Sequence, residues 1–176
     1  MTDGEDEFTS WAWLHGGALQ RRAVLLTGDH ELAEDLVQET LTKLYLGWSR
    51  VDREQNVVGY AHAILFRLFL SARRLRRAGE IPTGDLPERS LVPHDSAQRL
   101  DLATALLTLA PSARCVLVAR YLDDRSVAET AAMMRRTQSW VKTTTARALL
   151  QLRECPDLLE EPVSTGSPSP TNPKDL

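Results

Sequence analysis

The feature that most constrains this chain is a break. Between Ala78 and Ser96 the helical spacing of apolar residues stops, and Gly79, Pro82, Gly84, Pro87 and Pro93 punctuate the stretch. A structureless connection of that length is rare inside a compact domain, so residues 78–96 are expected to form a flexible interdomain linker. On either side apolar residues recur at intervals of three and four, and the alternation that marks strands is missing. The chain is therefore expected to be all-α, with two small helical domains at 8–77 and 97–155. After Glu161 four prolines stand among Ser, Thr and Gly, so 156–176 is expected to be a disordered tail.

In the first half, Gly28-Asp29 offers a turn and a cap, and the residues that follow place Leu32, Leu36, Leu41, Leu44 and Trp48 along one stripe. The opposite side carries Glu31, Asp35, Gln38, Glu39 and Lys43. A further helix from about Val57 sets Tyr60, Ile64, Leu68, Ala72 and Leu75 near one face and ends in Arg73-Arg74-Leu75-Arg76-Arg77.

Net charge is −3, yet its distribution is uneven: residues 1–59 hold five basic and eleven acidic side chains, 60–77 five and none, and 111–155 eight and four. Attraction to a helix C-terminus accounts for two arginines. It does not account for Arg67, Arg73, Arg74, Arg76 and Arg77 together. With Tyr60, Phe66 and Phe69 among them, this helix has what is needed to hold single-stranded DNA by phosphate contacts and base stacking, although each aromatic taken singly is better read as core.

In the second half periodicity returns near Ala97 with Leu100, Ala103, Leu106, Leu107 and Leu109, and Pro111 suits the first turn of a helix reaching Tyr121 or Leu122. Ser126-Val127-Ala128-Glu129 has the form of a capping box and opens a short helix to Met134. Arg135-Arg136 then lead to Thr137, which can cap a second helix to about Arg153. This is the order of a helix-turn-helix. Val127, Ala131, Met134, Val141 and Leu149 would lock the pair, with Ala148 and Leu152 also inward. Gln138, Ser139, Lys142, Thr143 and Arg147 would face DNA, and Arg135 and Arg136 would meet phosphates. The plainer alternative is an antiparallel helix pair with a solvated basic face.

Other classes find little support. The longest apolar runs fall far short of the roughly 18 residues a membrane span needs, and the acidic start Met1-Thr2-Asp3-Gly4-Glu5-Asp6-Glu7 lacks a secretory pattern, so a cytoplasmic location is expected. Cys115 and Cys155 belong to no metal-binding or redox motif, and Cys115 reads as an ordinary helix residue. His15, His30, His62 and His94 are scattered and no phosphate-binding glycine loop occurs. No enzyme, metal or cofactor is expected.

The stretch Leu25-Leu26-Thr27-Gly28-Asp29-His30-Glu31-Leu32-Ala33-Glu34-Asp35-Leu36-Val37-Gln38-Glu39-Thr40 closely resembles region two of the extracytoplasmic-function sigma factors, and the Ala-Glu-Asp-Leu-Val-Gln-Glu core is highly specific. Ser126-Val127-Ala128-Glu129-Thr130-Ala131, Val141-Lys142, Ala146-Arg147-Ala148-Leu149 and Leu152-Arg153 resemble region four. The resemblance spans about Trp13 to Arg153. It implies a protein that binds core RNA polymerase, through its β′ clamp and β flap, and directs initiation at promoter DNA. It gives Asp35, Gln38 and Glu39 a polymerase-docking role and the basic helix recognition and melting of the minus-ten element. The second helix of region four would read the minus-thirty-five element, the linker would run toward the RNA exit path, and an anti-sigma factor joins the expected partners.

The chain departs from the family pattern in several places. Arg135 stands where a small glycine is usual near the region-four turn, and Ser139-Trp140 replaces a glycine-threonine pair. Arg67 takes the position of a frequent asparagine, and Ala72-Arg73 that of a Trp-Trp pair. These departures motivate a second reading, a degenerate sigma-like protein that binds polymerase or a regulatory partner without reading promoters. A third is a plain helix-turn-helix repressor or activator.

Overall fold

The computed structural model describes residues 3–51, 56–78 and 97–154; of residues 3, 76–78 and 97–101 it describes the backbone alone. Every regular element among the described residues is a helix, and none is a strand. In order they form α1 (Asp3–Thr27), α2 (His30–Gly47), a 3-10 turn (Trp48–Arg50), α3 (Val57–Ala78), α4 (Ala97–Leu107), α5 (Pro111–Leu117), a π turn (Val118–Leu122), α6 (Val127–Met134) and α7 (Gln138–Arg153). Ala78, assigned above to the linker, is the last residue of α3; the rest of the expected linker, Cys155 and the tail lie outside the described residues.

α1 and α2 form a hairpin at Gly28, where two requirements coincide. Its φ is +71°, and a Cβ there would lie 2.4 Å from the Leu107 side chain, so glycine allows both the turn and the approach of α4. Asp29 then caps α2, its carboxylate accepting from the Leu32 N–H at 2.9 Å. α2 buries Ala33, Leu36, Val37, Thr40 and Leu44, and the Thr40 hydroxyl donates to the Leu36 carbonyl at 2.7 Å. The bundle end is closed by Trp48, with Phe8 edge-on at 5.2 Å and Trp11 at 5.9 Å.

α3 differs from its expected face. Tyr60, Ala72 and Leu75 are exposed, whereas every residue from Ala61 to Phe66 is buried, as is Phe69. The reason is that α3 lies between α2 on one side and α5 and α6 on another, so two faces are covered rather than one. Phe66 and Phe69 are therefore core residues.

In the second half Pro111 sits in the first turn of α5 after Ala110. The helix then widens, and the Asp123 N–H bonds to the Val118 carbonyl five residues back at 3.2 Å. Val116, Ala131 and Val141 form a small core with Val127, Met134 and Trp140, fixing α6 and α7 on α5. The two halves do not stand apart. α1 packs on α4 and α5, and one apolar core runs from Leu19, Leu26 and Phe69 to Leu106, Leu109, Leu117 and Val118.

Candidate nucleic-acid interface and docking face

The turn between α6 and α7 is held at each step by named groups. The Ser126 hydroxyl accepts from the Glu129 N–H at 3.1 Å, and the Glu129 carboxylate accepts from the Ser126 N–H at 2.8 Å. Those bonds from Ser126 hold the Glu129 carboxyl below its ordinary value. α6 ends at Arg135, whose φ of 51° and ψ of 48° are left-handed, and the Arg136 N–H returns to the Ala131 carbonyl at 2.9 Å. Thr137 caps α7 by accepting from the Trp140 N–H at 3.2 Å.

α7 turns two faces in opposite directions. Val141 and Ala148 are buried, with Leu149 and Leu152 half-buried beside them. Gln138, Ser139, Lys142, Thr143 and Arg147 are all exposed, and their spacing puts them on one continuous outer face. Arg135 and Arg136 are exposed at its N-terminal edge. Trp140 is half-buried against the small core, and the Arg136 guanidinium lies 5.4 Å from its ring centroid. The tryptophan thus packs against the short helix and steadies an arginine next to the outer face.

The basic end of α3 is less uniform. Arg67 is exposed but curls back, its Nε donating to the Ala63 carbonyl at 3.0 Å. Arg73 is half-buried, 5.6 Å from the Phe69 ring centroid, while Arg74 is exposed. Arg76 and Arg77 lie on the last turn of the helix, their side chains outside the described residues. Of the three aromatics, Tyr60 alone is exposed.

On α2, Asp35, Gln38 and Glu39 are exposed, and Glu39 pairs with Lys43 at 3.4 Å. Asp35 and Glu39 also line a groove between α2 and α3 with Leu68, Phe69 and Arg73. Two residues of the docking set thereby adjoin one of the basic-helix set, while Gln38 stands away from the groove.

Sequence reasoning missed a polar cluster where the halves meet. Arg22 of α1 donates to Asp123, whose other carboxylate oxygen lies 3.0 Å from His62 Nδ1 of α3. Burial pushes the Asp123 carboxyl up, but His62 and Arg22 outweigh it and hold the group below the usual carboxylate range. Arg114 of α5, also buried, donates to the Leu26 carbonyl. Its burial and the nearby Arg73 lower its pKa. The available signal was a charged residue within the apolar run 113–119, which a one-face helix would not carry.

Comparison with known proteins places this arrangement. Residues 12–79 match the family model for sigma-70 region 2, and 105–154 that for sigma-70 region 4. An RNA polymerase sigma-E factor of Streptomyces coelicolor is 33% identical over 150 residues, covering 84% of this chain and 85% of that protein. A sigma-E factor of Streptomyces avermitilis is 33% identical over 157 residues, covering 88% of each. The ECF RNA polymerase sigma factor SigM of Mycobacterium tuberculosis is 30% identical over 141 residues, covering 78% and 71%. Among solved structures, the sigma factor RpoE in complex with the anti-sigma factor NepR from Bartonella quintana superposes with a TM-score of 0.72 at 23% identity, covering 88% of this chain and 99% of that one. CnrH in complex with the cytosolic domain of CnrY gives a TM-score of 0.63 at 20% identity, covering 89% and 91%. At those identities the two structures speak to the fold.

Proposed function

The chain belongs to the RNA polymerase sigma factors, in their extracytoplasmic-function group, and from that premise we propose how its surfaces divide the work. It is an initiation factor that binds core RNA polymerase and directs transcription from specific promoters. Its action is binding and positioning, not catalysis of its own. No helix among the described residues is long and apolar enough to cross a membrane. We place its action in the cytoplasm, where polymerase and promoters are found.

In this reading the outer face of α2 docks on the β′ clamp through Asp35, Gln38 and Glu39, while the second half meets the β flap. Arg67, Arg73, Arg74, Arg76 and Arg77 of α3 take the minus-ten element. Gln138, Ser139, Lys142, Thr143 and Arg147 of α7 enter the major groove of the minus-thirty-five element, with Arg135 and Arg136 on phosphates. An anti-sigma factor is a further partner, as NepR is for RpoE.

The observation that carries the assignment is the two-faced α7: its buried side is locked by Val141 and Ala148, leaving five polar side chains exposed together. In the reconstituted holoenzyme, Lys142→Ala or Arg147→Ala is expected to weaken protection of the upstream element and reduce its salt dependence by about one counterion each. Affinity for core enzyme should stay unchanged, and Asp35→Arg should do the reverse. Equal loss of both functions from either substitution defeats the division of labour. Binding to core enzyme without any sequence-selective footprint favours the degenerate reading, for which the curled Arg67 is the structural motive.

A further inference from the structure

We propose that the recess at the seam between the two halves, lined by Arg22, Asn56, His62, Asp123 and Arg125, is a binding site for hydrogen phosphate, a tetrahedral oxyanion that keeps one proton. The site is separate from the promoter-reading and docking faces proposed above. It rests on polar atoms that the fold buries there without bonding them.

The recess has a volume of about 250 Å³ and is bounded by Arg22 of α1, the start of α3 and residues 122–125 at the end of the π turn. That is far beyond the roughly 10–15 Å³ that one water requires, so a small oxyanion fits. The His62 side chain lines it while only 4% exposed, and neither of its ring nitrogens makes a hydrogen bond. Asp123, 2% exposed, accepts from Arg22 at Oδ1. Its Oδ2 lies 3.0 Å from His62 Nδ1 but is not aligned to bond it, and so lacks a hydrogen bond as well. Arg125 Nε is a third buried atom of this kind. Buried polar atoms are normally bonded to protein, water or ligand, and three such groups around one recess point to an occupant.

The same atoms specify its chemistry. Asn56 caps α3 by accepting from the Gly59 N–H at 2.7 Å, and Val58 of the first turn lines the recess, which brings the positive end of the helix dipole to it. Arg125 is firmly seated. Its carbonyl accepts from the Arg120 guanidinium at 2.5 Å, and its own guanidinium passes so close to Gly59 that a Cβ there would come within 2.1 Å. With Arg22 on another side, these groups call for an anion, while Asp123 and the exposed Asp124 oppose indiscriminate negative charge. A fully deprotonated oxyanion such as sulfate would set an oxygen against Asp123 Oδ2, acceptor against acceptor. Hydrogen phosphate instead donates its P–OH to Oδ2, and its remaining oxygens accept from Arg125 and from the N–H of His62. Phosphate monoesters lose the equivalent proton near pH 6, whereas hydrogen phosphate still holds its own at about pH 8.

The test titrates the full chain with inorganic phosphate, sulfate and glycerol phosphate at about pH 8 and constant ionic strength. Binding is read by calorimetry and by the rise in melting temperature that a ligand of the folded state produces. Phosphate should saturate, and should bind at least about tenfold more tightly than either other anion, the factor that one charge-assisted hydrogen bond supplies. Arg125→Gln should weaken phosphate by about the same factor. In Asp123→Asn the amide can donate to sulfate, so the preference for phosphate over sulfate should disappear. That preference is a ratio within one protein, so a variant that is merely less stable cannot mimic its loss. An equal response of the wild-type chain to phosphate and sulfate marks a general anion effect and overturns the proposal. So do glycerol phosphate binding as tightly as inorganic phosphate, a preference that survives Asp123→Asn, an affinity unchanged in Arg125→Gln, or no saturation by phosphate at all, which leaves the recess to ordered water.

Discussion

Arg135 occupies a left-handed position with a full side chain, φ 51°, at the turn where the family usually places glycine. For an L-residue that conformation costs roughly 1–2 kcal/mol, part of which glycine returns through its greater freedom in the unfolded chain. Arg135→Gly is therefore expected to raise stability by about 0.5–1 kcal/mol, seen as a higher urea midpoint with unchanged slope. If Arg135 also contacts a phosphate, the same substitution lowers the salt dependence of promoter binding; a variant stabilised with no change in salt slope assigns the residue to the turn alone. Ser126 presents the opposite case. Ser126→Ala removes the hydroxyl that caps α6 and should cost about 1 kcal/mol. It should also let the Glu129 carboxyl rise toward its ordinary value. Because that group is depressed in the folded chain, its contribution is present above the unfolded carboxylate pKa and fades as pH falls through the lower folded value. Titration of the Glu129 side chain by NMR in both proteins checks the sign.

At the scale of elements, α3 carries the most instructive difference between expectation and structure. Its apolar spacing suggested a single face through Tyr60, Ile64, Leu68, Ala72 and Leu75, while each of its aromatics taken singly read as core, as Phe66 and Phe69 are. Periodicity reports how many faces are buried only when one neighbour covers the helix; α3 has neighbours on two sides, and Phe66 and Phe69 are consumed by the core. Phe66→Ala should therefore cost about 3–5 kcal/mol of stability, whatever it does to DNA. Tyr60, exposed in the first turns of α3, is the one of the three aromatics outside the core, and a stacking role on a melted base is proposed for it alone. Tyr60→Ala should leave the melting curve nearly unchanged and weaken holoenzyme binding to single-stranded minus-ten DNA by about 1–3 kcal/mol. A stability loss as large as that of Phe66→Ala, with DNA binding intact, would remove Tyr60 from the interface. By contrast α2, α6 and α7 were legible almost to the residue, because Asp29, Ser126 and Thr137 are local signals and the outer face of α7 follows from spacing. The seam was not legible. Arg22 and Asp123 are 101 positions apart, and nothing in the neighbourhood of either residue specifies the other.

For the whole molecule, the question is whether two sequence domains behave as one cooperative unit. The order of helices and the break after α3 imply separable parts, yet the apolar core of the described residues is continuous across them, and Arg22–Asp123 and Arg114–Leu26 hydrogen bonds cross between them. A shared core couples unfolding, since neither half can melt without exposing the other's apolar surface and stranding Asp123 or Arg114 without partners. The wild-type free chain is thus expected to unfold in one calorimetric transition whose measured enthalpy matches the van't Hoff value. Asp123→Ala removes the member that ties α1 and α3 to the second half, and should split the transition in two or drive the calorimetric enthalpy above the van't Hoff one. Bound core polymerase should do the same to the wild-type chain if binding separates the halves. A wild-type transition already resolved into two in the absence of polymerase would mean that the contacts at the seam are too weak to join the halves, and the break in the sequence would then govern the behaviour of the whole chain.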